Sequence, residues 1–274
     1  VSARATETRT GRRSDRIRLD ELIVERGLAP SRARAQALLL AGRVRTGVGD
    51  AARTDRKPGD LVDPATRVEV PAPDPYVGRG GHKIAAALDA FGIDPGRRVC
   101  LDVGASTGGF TDVLLQRSAT RVYALDVGRG QLAETLRLDP RVVSMERTNA
   151  RGLTAASLPE PIDLAVVDVS FISLALVLGP IAATLGPGGS IVALVKPQFE
   201  AGRGKAPKGI VRDPAIHRDV LRGVAAAAAA VGLGTRDVIA SPITGSDGNR
   251  EFLAWFAAGP SCADLPGRIE ALTA

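Results

Sequence analysis

From residue 97 onward the chain alternates short, continuously apolar runs with helical stretches, and this pattern constrains the fold more than any other feature of its 274 residues. The apolar runs fall at 99–103, 121–126, 142–146, 164–168 and 190–196, with helices expected after Gly108, after Arg129 and after Phe171. Strands that lack polar alternation are buried on both faces, so helices must cover both sides of one mostly parallel sheet. A helix predicted over 214–231, with alanine at every position from Ala225 to Ala230, leads into two late strands at 236–240 and 251–256. Alanine is the strongest helix former, so the run reads as helix with a narrow packing face. The expected class is α/β, a Rossmann-like sheet over residues 79–274, joined to a small N-terminal α+β domain.

That smaller domain is expected over residues 17–70. A first helix stops at Gly27, Ser31 caps a second, and Gly42 ends it. Strand-like pieces at 44–48 and 67–70 are separated by a Lys57-Pro58-Gly59-Asp60 turn. Residues 1–16, rich in Arg, Thr and Ser, carry no apolar period and read as a basic flexible tail. The run Pro71-Ala-Pro-Asp-Pro75 opens a stiff linker, placed at 71–78.

Charge is unevenly placed along the chain. Residues 1–73 hold 15 Lys and Arg against 10 Asp and Glu, so they carry nearly all of the net +6, and an acidic partner would meet this end first. Arg32 and Arg34 on the second helix, with Arg18, Arg43 and Arg45 nearby, can present several guanidiniums to one side. Their planar forks suit bidentate phosphate contacts, which points to an RNA or DNA backbone; a solvated charged face is the alternative. Cys100 and Cys262 share no CxxC spacing and read as structural thiols in a reducing compartment. No apolar run approaches the roughly 20 residues that span a bilayer, and the basic start lacks an apolar signal core. A cytoplasmic protein without membrane contact is expected.

Ligands of doubly wound sheets bind outside the carboxyl ends of the strands. The turn after the first strand reads Asp102-Val-Gly104-Ala-Ser106-Thr-Gly108-Gly109-Phe-Thr111. It lacks the Lys-Ser/Thr of a P-loop and the GxGxxG of a dinucleotide site. Asp126 ends the next strand, where a carboxylate can accept hydrogen bonds from ribose hydroxyls. Asp102 can face the cationic part of the same ligand. Two carboxylates favour S-adenosylmethionine over NAD, because a sulfonium and an α-amino group welcome negative charge that a pyrophosphate would not.

Four charged residues surround this turn. Asp168 and Lys196 end successive strands; Glu251 begins the last strand, at the same edge if that strand is antiparallel; Lys83 sits in the first turn of a helix, where the dipole disfavours a cation. A purely structural ion-pair network is the alternative. The chemistry such a set suits is methyl transfer to a weakly acidic ribose 2′-hydroxyl, with Lys196 as base, Lys83 orienting the hydroxyl, and Asp168 and Glu251 fixing the ammonium groups. A Gly-rich loop at 202–212 carries Arg203, Lys205 and Lys208, and Arg79 precedes Lys83; these extend the candidate RNA contacts. With aromatics at 3%, recognition should rest on phosphates and RNA shape. His82 and His217 are isolated, and no metal site is expected.

The stretches Arg79-Gly-Gly-His-Lys83, 102–111, Asp168-Val-Ser-Phe-Ile-Ser173, Leu194-Val-Lys-Pro-Gln-Phe-Glu200, Gly209-Ile-Val-Arg-Asp-Pro214 and Gly248-Asn-Arg-Glu251 together resemble the TlyA-type rRNA 2′-O-ribose methyltransferases. Their catalytic domain is similar to the FtsJ-like (RrmJ-like) class I enzymes with a Lys-Asp-Lys-Glu tetrad. The match Arg18-Leu-Asp20 to Gly42-Arg43-Val44 resembles the RNA-binding domain named after ribosomal protein S-four. The resemblance implies cytidine 2′-O-methylation of rRNA within ribosomal subunits and, in the family, susceptibility to capreomycin. It also implies that Asn149 and Ala150 meet an adenine edge and that Phe171 and Ser246 line the cofactor pocket. No obligate protein partner is evident. A non-catalytic RNA-binding or ribosome-assembly factor is the alternative function; a haemolysin, a label the family has carried, is a weaker one.

Overall fold

The computed structural model describes residues 16–49, 52–72, 74–202 and 204–274. Of the expected tail, all but residue 16 lies outside the described residues, as does Arg203. The chain divides into two compact units, Val1–Pro73 and Asp74–Ala274.

The first unit contains β1 (Ile17–Arg18), α1 (Leu19–Glu25), α2 (Arg32–Leu40), β2 (Arg45–Thr46), β3 (Leu61–Val62) and β4 (Val68–Glu69). Both strand pairs, β1 with β3 and β2 with β4, are antiparallel. Ser31 caps α2 by accepting from the Arg34 amide at 3.2 Å, and a core of Leu19, Leu22, Ile23, Ala35, Leu39 and Val44 closes around the helices. Under that core lies a buried carboxylate, Asp20. It accepts two hydrogen bonds of 3.0 Å from Arg18 and one of 2.8 Å from Gln36, and pairs with Arg32 at 3.4 Å. The Arg18 guanidinium holds the Asp20 carboxyl well below the usual carboxylate range.

The second unit contains α3 (Gly80–Phe91), β5 (Val99–Val103), α4 (Gly109–Gln116), β6 (Arg121–Leu125), α5 (Glu134–Arg137), β7 (Val142–Met145), β8 (Ile162–Val167), α6 (Leu178–Ala182), β9 (Leu185–Val195), α7 (Pro197–Glu200), α8 (Pro214–Ala230), β10 (Leu233–Ala240), β11 (Phe252–Ala258) and α9 (Leu265–Thr273). Its seven-stranded sheet runs β10-β11-β9-β8-β5-β6-β7. Strands β5 to β9 are parallel, whereas β11 runs antiparallel to both β9 and β10. The chain moves outward from β5 to β7 and then returns to β8 on the other side of β5. That reversal opens a crevice at the carboxyl ends of β5, β6 and β8.

Residues alternate between two cores on the faces of the sheet. Cys100, Val122, Leu164 and Leu253 face α3 and α4; Leu101, Val103, Leu125 and Phe252 face the α6, α8 and α9 side. The helix expected after Arg129 forms only as the single turn of α5, and the one expected after Phe171 begins at Leu174 as a 3-10 turn before α6. Residues 74–78 of the expected linker are bound to α4: the Val77 amide donates to Asp112 at 2.8 Å and Gln116 donates to the Pro75 carbonyl at 2.8 Å.

Because Asp20 ionises more readily folded than unfolded, its contribution is present at neutral pH and is lost as pH falls through its lowered folded value. Asp20→Ala is expected to cost the first unit on the order of 2 kcal/mol at pH 7. Amide hydrogen exchange in α1 and α2 should rise accordingly; unchanged exchange would show that the carboxylate organises nothing.

Candidate active site

The crevice holds a cavity of about 430 Å³ whose walls come from three strand ends. Val103, Gly104 and Ser106 follow from β5, Leu125, Asp126 and Val127 from β6, and Asp168 to Ile172 from β8; Gln131, Asn149, Ala150 and Val177 complete it. Gly104 has φ +83°, and a Cβ there would stand 2.3 Å from the Asp168 carbonyl oxygen, so only glycine lets the β5 turn pass the end of β8. Asp126 fixes the turn from the other side. Its Oδ2 accepts from the Ser106 amide at 2.8 Å and its Oδ1 from the Gly128 amide at 2.7 Å.

The four charged residues form two close pairs, and Asp168 of one of them lines this cavity. Lys83 Nζ lies 2.5 Å from Glu251 Oε2, with the lysine 8% and the glutamate 3% exposed. Lys196 Nζ lies 2.5 Å from Asp168 Oδ1. That second contact is an ion pair without an aligned hydrogen bond, and the ammonium also donates to Ser170 Oγ at 2.9 Å. Sheet register brings the pairs to one edge: Phe252 is opposite Val195, so Glu251 and Lys196 are the next residues out on adjacent strands. Asp168 also reaches toward the start of α3, since a Cβ on Gly80 would come within 4.0 Å of its Oδ2. At Glu251, Gly245 leaves room for the carboxylate, which a Cβ there would meet at 2.6 Å.

Among the residues expected to hold a cofactor, Gly104, Ser106, Asp126, Asn149, Ala150 and Phe171 line the cavity, and Asp102, Gly108, Gly109 and Ser246 do not. Strand alternation places Asp102 with Cys100 on the α4 face, where its Oδ2 accepts from the Thr111 amide at 2.9 Å and the Thr111 hydroxyl at 2.7 Å. Gly108 backs onto Leu132 and Leu136, Gly109 onto the chain at Gly78 and Gly81, and Ser246 is exposed in the loop before β11. Val127, Gln131, Val169, Ser170, Ile172 and Val177 were not expected on the wall. Phe171 is 90% exposed at φ +64° and packs against Phe199 with ring centroids 4.9 Å apart.

The basic residues divide by whether they are already engaged. Arg18 and Arg32 are held by Asp20, and Arg32 also by Glu21 at 3.0 Å. Arg34, Arg43 and Arg45 are exposed, and no carboxylate pairs with them among the described residues. In the second unit Arg79 donates to the Thr244 carbonyl at 3.0 Å, while Lys205 and Lys208 are exposed. His217 is buried and bonded to the Val211 carbonyl at 3.2 Å. Among the described residues no cluster of His, Cys, Asp or Glu could hold a metal ion, and no helix is long and apolar enough to cross a membrane.

Comparison with known proteins matches this architecture. The FtsJ-like methyltransferase family profile covers residues 76–258. The chain is 47% identical over 243 residues to the 16S/23S rRNA (cytidine-2′-O)-methyltransferase TlyA of Mycobacterium tuberculosis, covering 88% of this chain and 89% of the relative. It is 40% identical over 242 residues to hemolysin A of Brachyspira hyodysenteriae, covering 88% of this chain and 99% of that protein. A solved structure from Streptococcus thermophilus, described as a hemolysin, superposes with a TM-score of 0.73 at 42% identity over 95% of both chains.

Asp102 is wholly buried with its Oδ1 unpartnered, and burial pushes the carboxyl up to about 7, helped by the Asp168 and Asp126 charges and opposed by the Thr111 hydrogen bonds. A carboxyl whose folded value is raised binds its proton more tightly folded than unfolded, so it lowers stability as pH climbs from the ordinary aspartate range toward 7. Asp102→Asn keeps an acceptor for Thr111 and removes the titration. Urea unfolding at pH 5 and pH 7.5 is expected to show a smaller loss of stability on raising the pH for the variant than for the wild type; equal losses would contradict the buried, proton-binding carboxyl.

Proposed function

The chain belongs to the FtsJ-like methyltransferase family, and from that premise we propose that it methylates the 2′-hydroxyl of a cytidine in rRNA within ribosomal subunits, using S-adenosylmethionine. One observation carries this reading: Lys83, Asp168, Lys196 and Glu251 form two ion pairs, and Asp168 of one of them lines a cavity at the topological switch point. Bound in that cavity, S-adenosylmethionine supplies an electrophilic methyl group.

The residues present fit that cofactor. The cavity wall offers the carboxylate of Asp126 for ribose hydroxyls and the amide of Asn149 for an adenine edge. Val127, Val169 and Ile172 provide apolar surface for the ring. No lysine or arginine stands among the described lining residues, so a pyrophosphate would find no cation there. Asp102 supplies no group to the cavity wall, since its carboxylate is turned to α4 and bound by Thr111.

A ribose hydroxyl is far from ionised at neutral pH, and its attack needs a group that takes the proton in the right geometry. The neutral amine of Lys196 takes that role, its own ammonium proton having first passed to the paired Asp168 carboxylate or to solvent. Asp168 and Ser170 hold its amine at the end of β9, within one side-chain length of the cavity wall. Lys83, fixed by Glu251, orients the hydroxyl from the start of α3. The exposed Arg34, Arg43 and Arg45 of the first unit, with Lys205 and Lys208 of the second, supply phosphate contacts that set affinity and register.

Purified protein, labelled S-adenosylmethionine and unmodified ribosomal subunits test the proposal, with naked rRNA as a parallel substrate. Label is expected in RNA ribose, and Lys196→Ala should lower the transfer rate by at least about 10²-fold. A folded wild-type protein that labels no RNA would move the chain to the non-catalytic RNA-binding class, and an undiminished Lys196→Ala would remove the base assignment.

A further inference from the structure

Glu200, at the end of α7, has no part in the scheme above, yet it is the most committed side chain on that turn. Its Oε2 accepts from the Ser173 hydroxyl at 2.7 Å and its Oε1 from the Leu174 amide at 2.8 Å. Both donors belong to the segment that leaves β8, forms one wall of the cavity and begins a helical turn at Leu174. No lysine or arginine pairs with the carboxylate among the described residues, and burial pushes it above the ordinary glutamate range. A half-buried carboxylate without a cation is costly to keep unless its acceptor capacity is used.

The local structure shows how it is used. Phe199 and Glu200 sit on the single turn of α7, and Lys196, in extended conformation, caps that turn from the end of β9. Each meets a residue of the opposing segment in order: Lys196 pairs with Asp168 and donates to Ser170, Phe199 packs against Phe171, and Glu200 binds Ser173 and Leu174. The two strand ends are thereby zipped together over the full length of the segment. Phe171 within it holds a positive φ that a non-glycine residue adopts only when its surroundings impose it. The outermost polar fastening to α7 is Glu200; without it, the contacts between α7 and the segment reduce to those of Lys196 and the Phe171–Phe199 packing, beside the burial of Leu174 and Ile172 against the core.

We propose that Glu200 is a positioning residue, a clamp that keeps the segment of residues 170–174 against α7 so that Ser170 stays on the Lys196 amine and the cavity wall stays closed. The proposal rests on the methyltransferase reading for its kinetic consequence, but not for the clamp itself. Glu200→Gln retains it, because a glutamine oxygen can accept from the Leu174 amide while its NH₂ donates to the Ser173 hydroxyl. Glu200→Ala removes it.

Two readouts separate the clamp from a general loss of stability. The first is amide hydrogen exchange in residues 170–174 of the full chain, which needs no substrate: faster exchange is expected in Glu200→Ala and wild-type exchange in Glu200→Gln. The second is the transfer rate at saturating cofactor and ribosomal subunits. Glu200→Ala is expected to lose on the order of tenfold and Glu200→Gln to stay within about threefold. Ser170→Ala combined with Glu200→Ala should lose no more than the worse single variant, although the two residues do not touch. Additive losses, a glutamine variant as slow as the alanine variant, or unchanged exchange in Glu200→Ala would overturn the proposal. A wild-type protein that transfers no methyl while its Glu200→Ala variant exchanges faster would sink the methyltransferase reading and leave the clamp standing.

Discussion

The buried ion pair between Lys83 and Glu251 is the constraint on which the catalytic unit depends. It joins residues 168 positions apart, one in the first helix of the unit and one at the mouth of its last strand, β11. A lysine in the first turn of α3 opposes the helix dipole, and only a carboxylate on the other side of the interface makes that placement tolerable. The glutamate is delivered by β11, whose antiparallel register against β9 is fixed by six successive pairings. Next to it, the buried Asn249 donates to the Gly209 carbonyl at 2.8 Å and accepts from the Val211 amide at 2.9 Å, tying the basic loop to the same strand entry.

The second pair follows from the parallel half of the sheet. Asp168 and Lys196 end adjacent strands, so strand adjacency alone puts them within reach, and Ser170 settles which way the amine points. The chain thus builds its site from two kinds of connection. Parallel neighbours give Asp168 with Lys196 above the switch point, and the single antiparallel strand next to them closes the site with Glu251. The cavity wall and the Lys196 ion pair share the β8 exit segment, because Asp168 and Ser170 both line the cavity and both contact that lysine.

Much of this was legible in the sequence because burial on both faces writes continuous apolar runs: 99–103 matches β5, and the late strands were expected within a few residues of β10 and β11. The start of β9 at Leu185 was hidden by Gly186, Pro187, Gly188 and Gly189, which read as a turn, and α9 by having few apolar positions. The helix expected after Arg129 gives way to a cavity rim, where the Gly128 amide is bound by Asp126 and the Gly130 amide by Glu146. Of the site, the residues at strand ends could be named from topology. Asp102 could not be assigned a face, because parity along a buried strand becomes visible only once the flanking helices are placed. Ser170 and Glu200 carry no periodic signal, since hydrogen bonds between a strand-exit segment and a strand end or a single helical turn depend on tertiary geometry.

A buried ion pair can often be replaced by apolar residues of similar volume at little cost in stability, whereas removing one partner leaves an uncompensated charge. The most direct measurement is therefore to compare Lys83→Met, Glu251→Leu and the double variant for thermal stability and for methyl transfer to ribosomal subunits. If the pair is kept for chemistry, the double variant should be more stable than at least one single variant and still lose transfer by about 10²-fold or more. A stable double variant that transfers methyl at the wild-type rate would contradict the account.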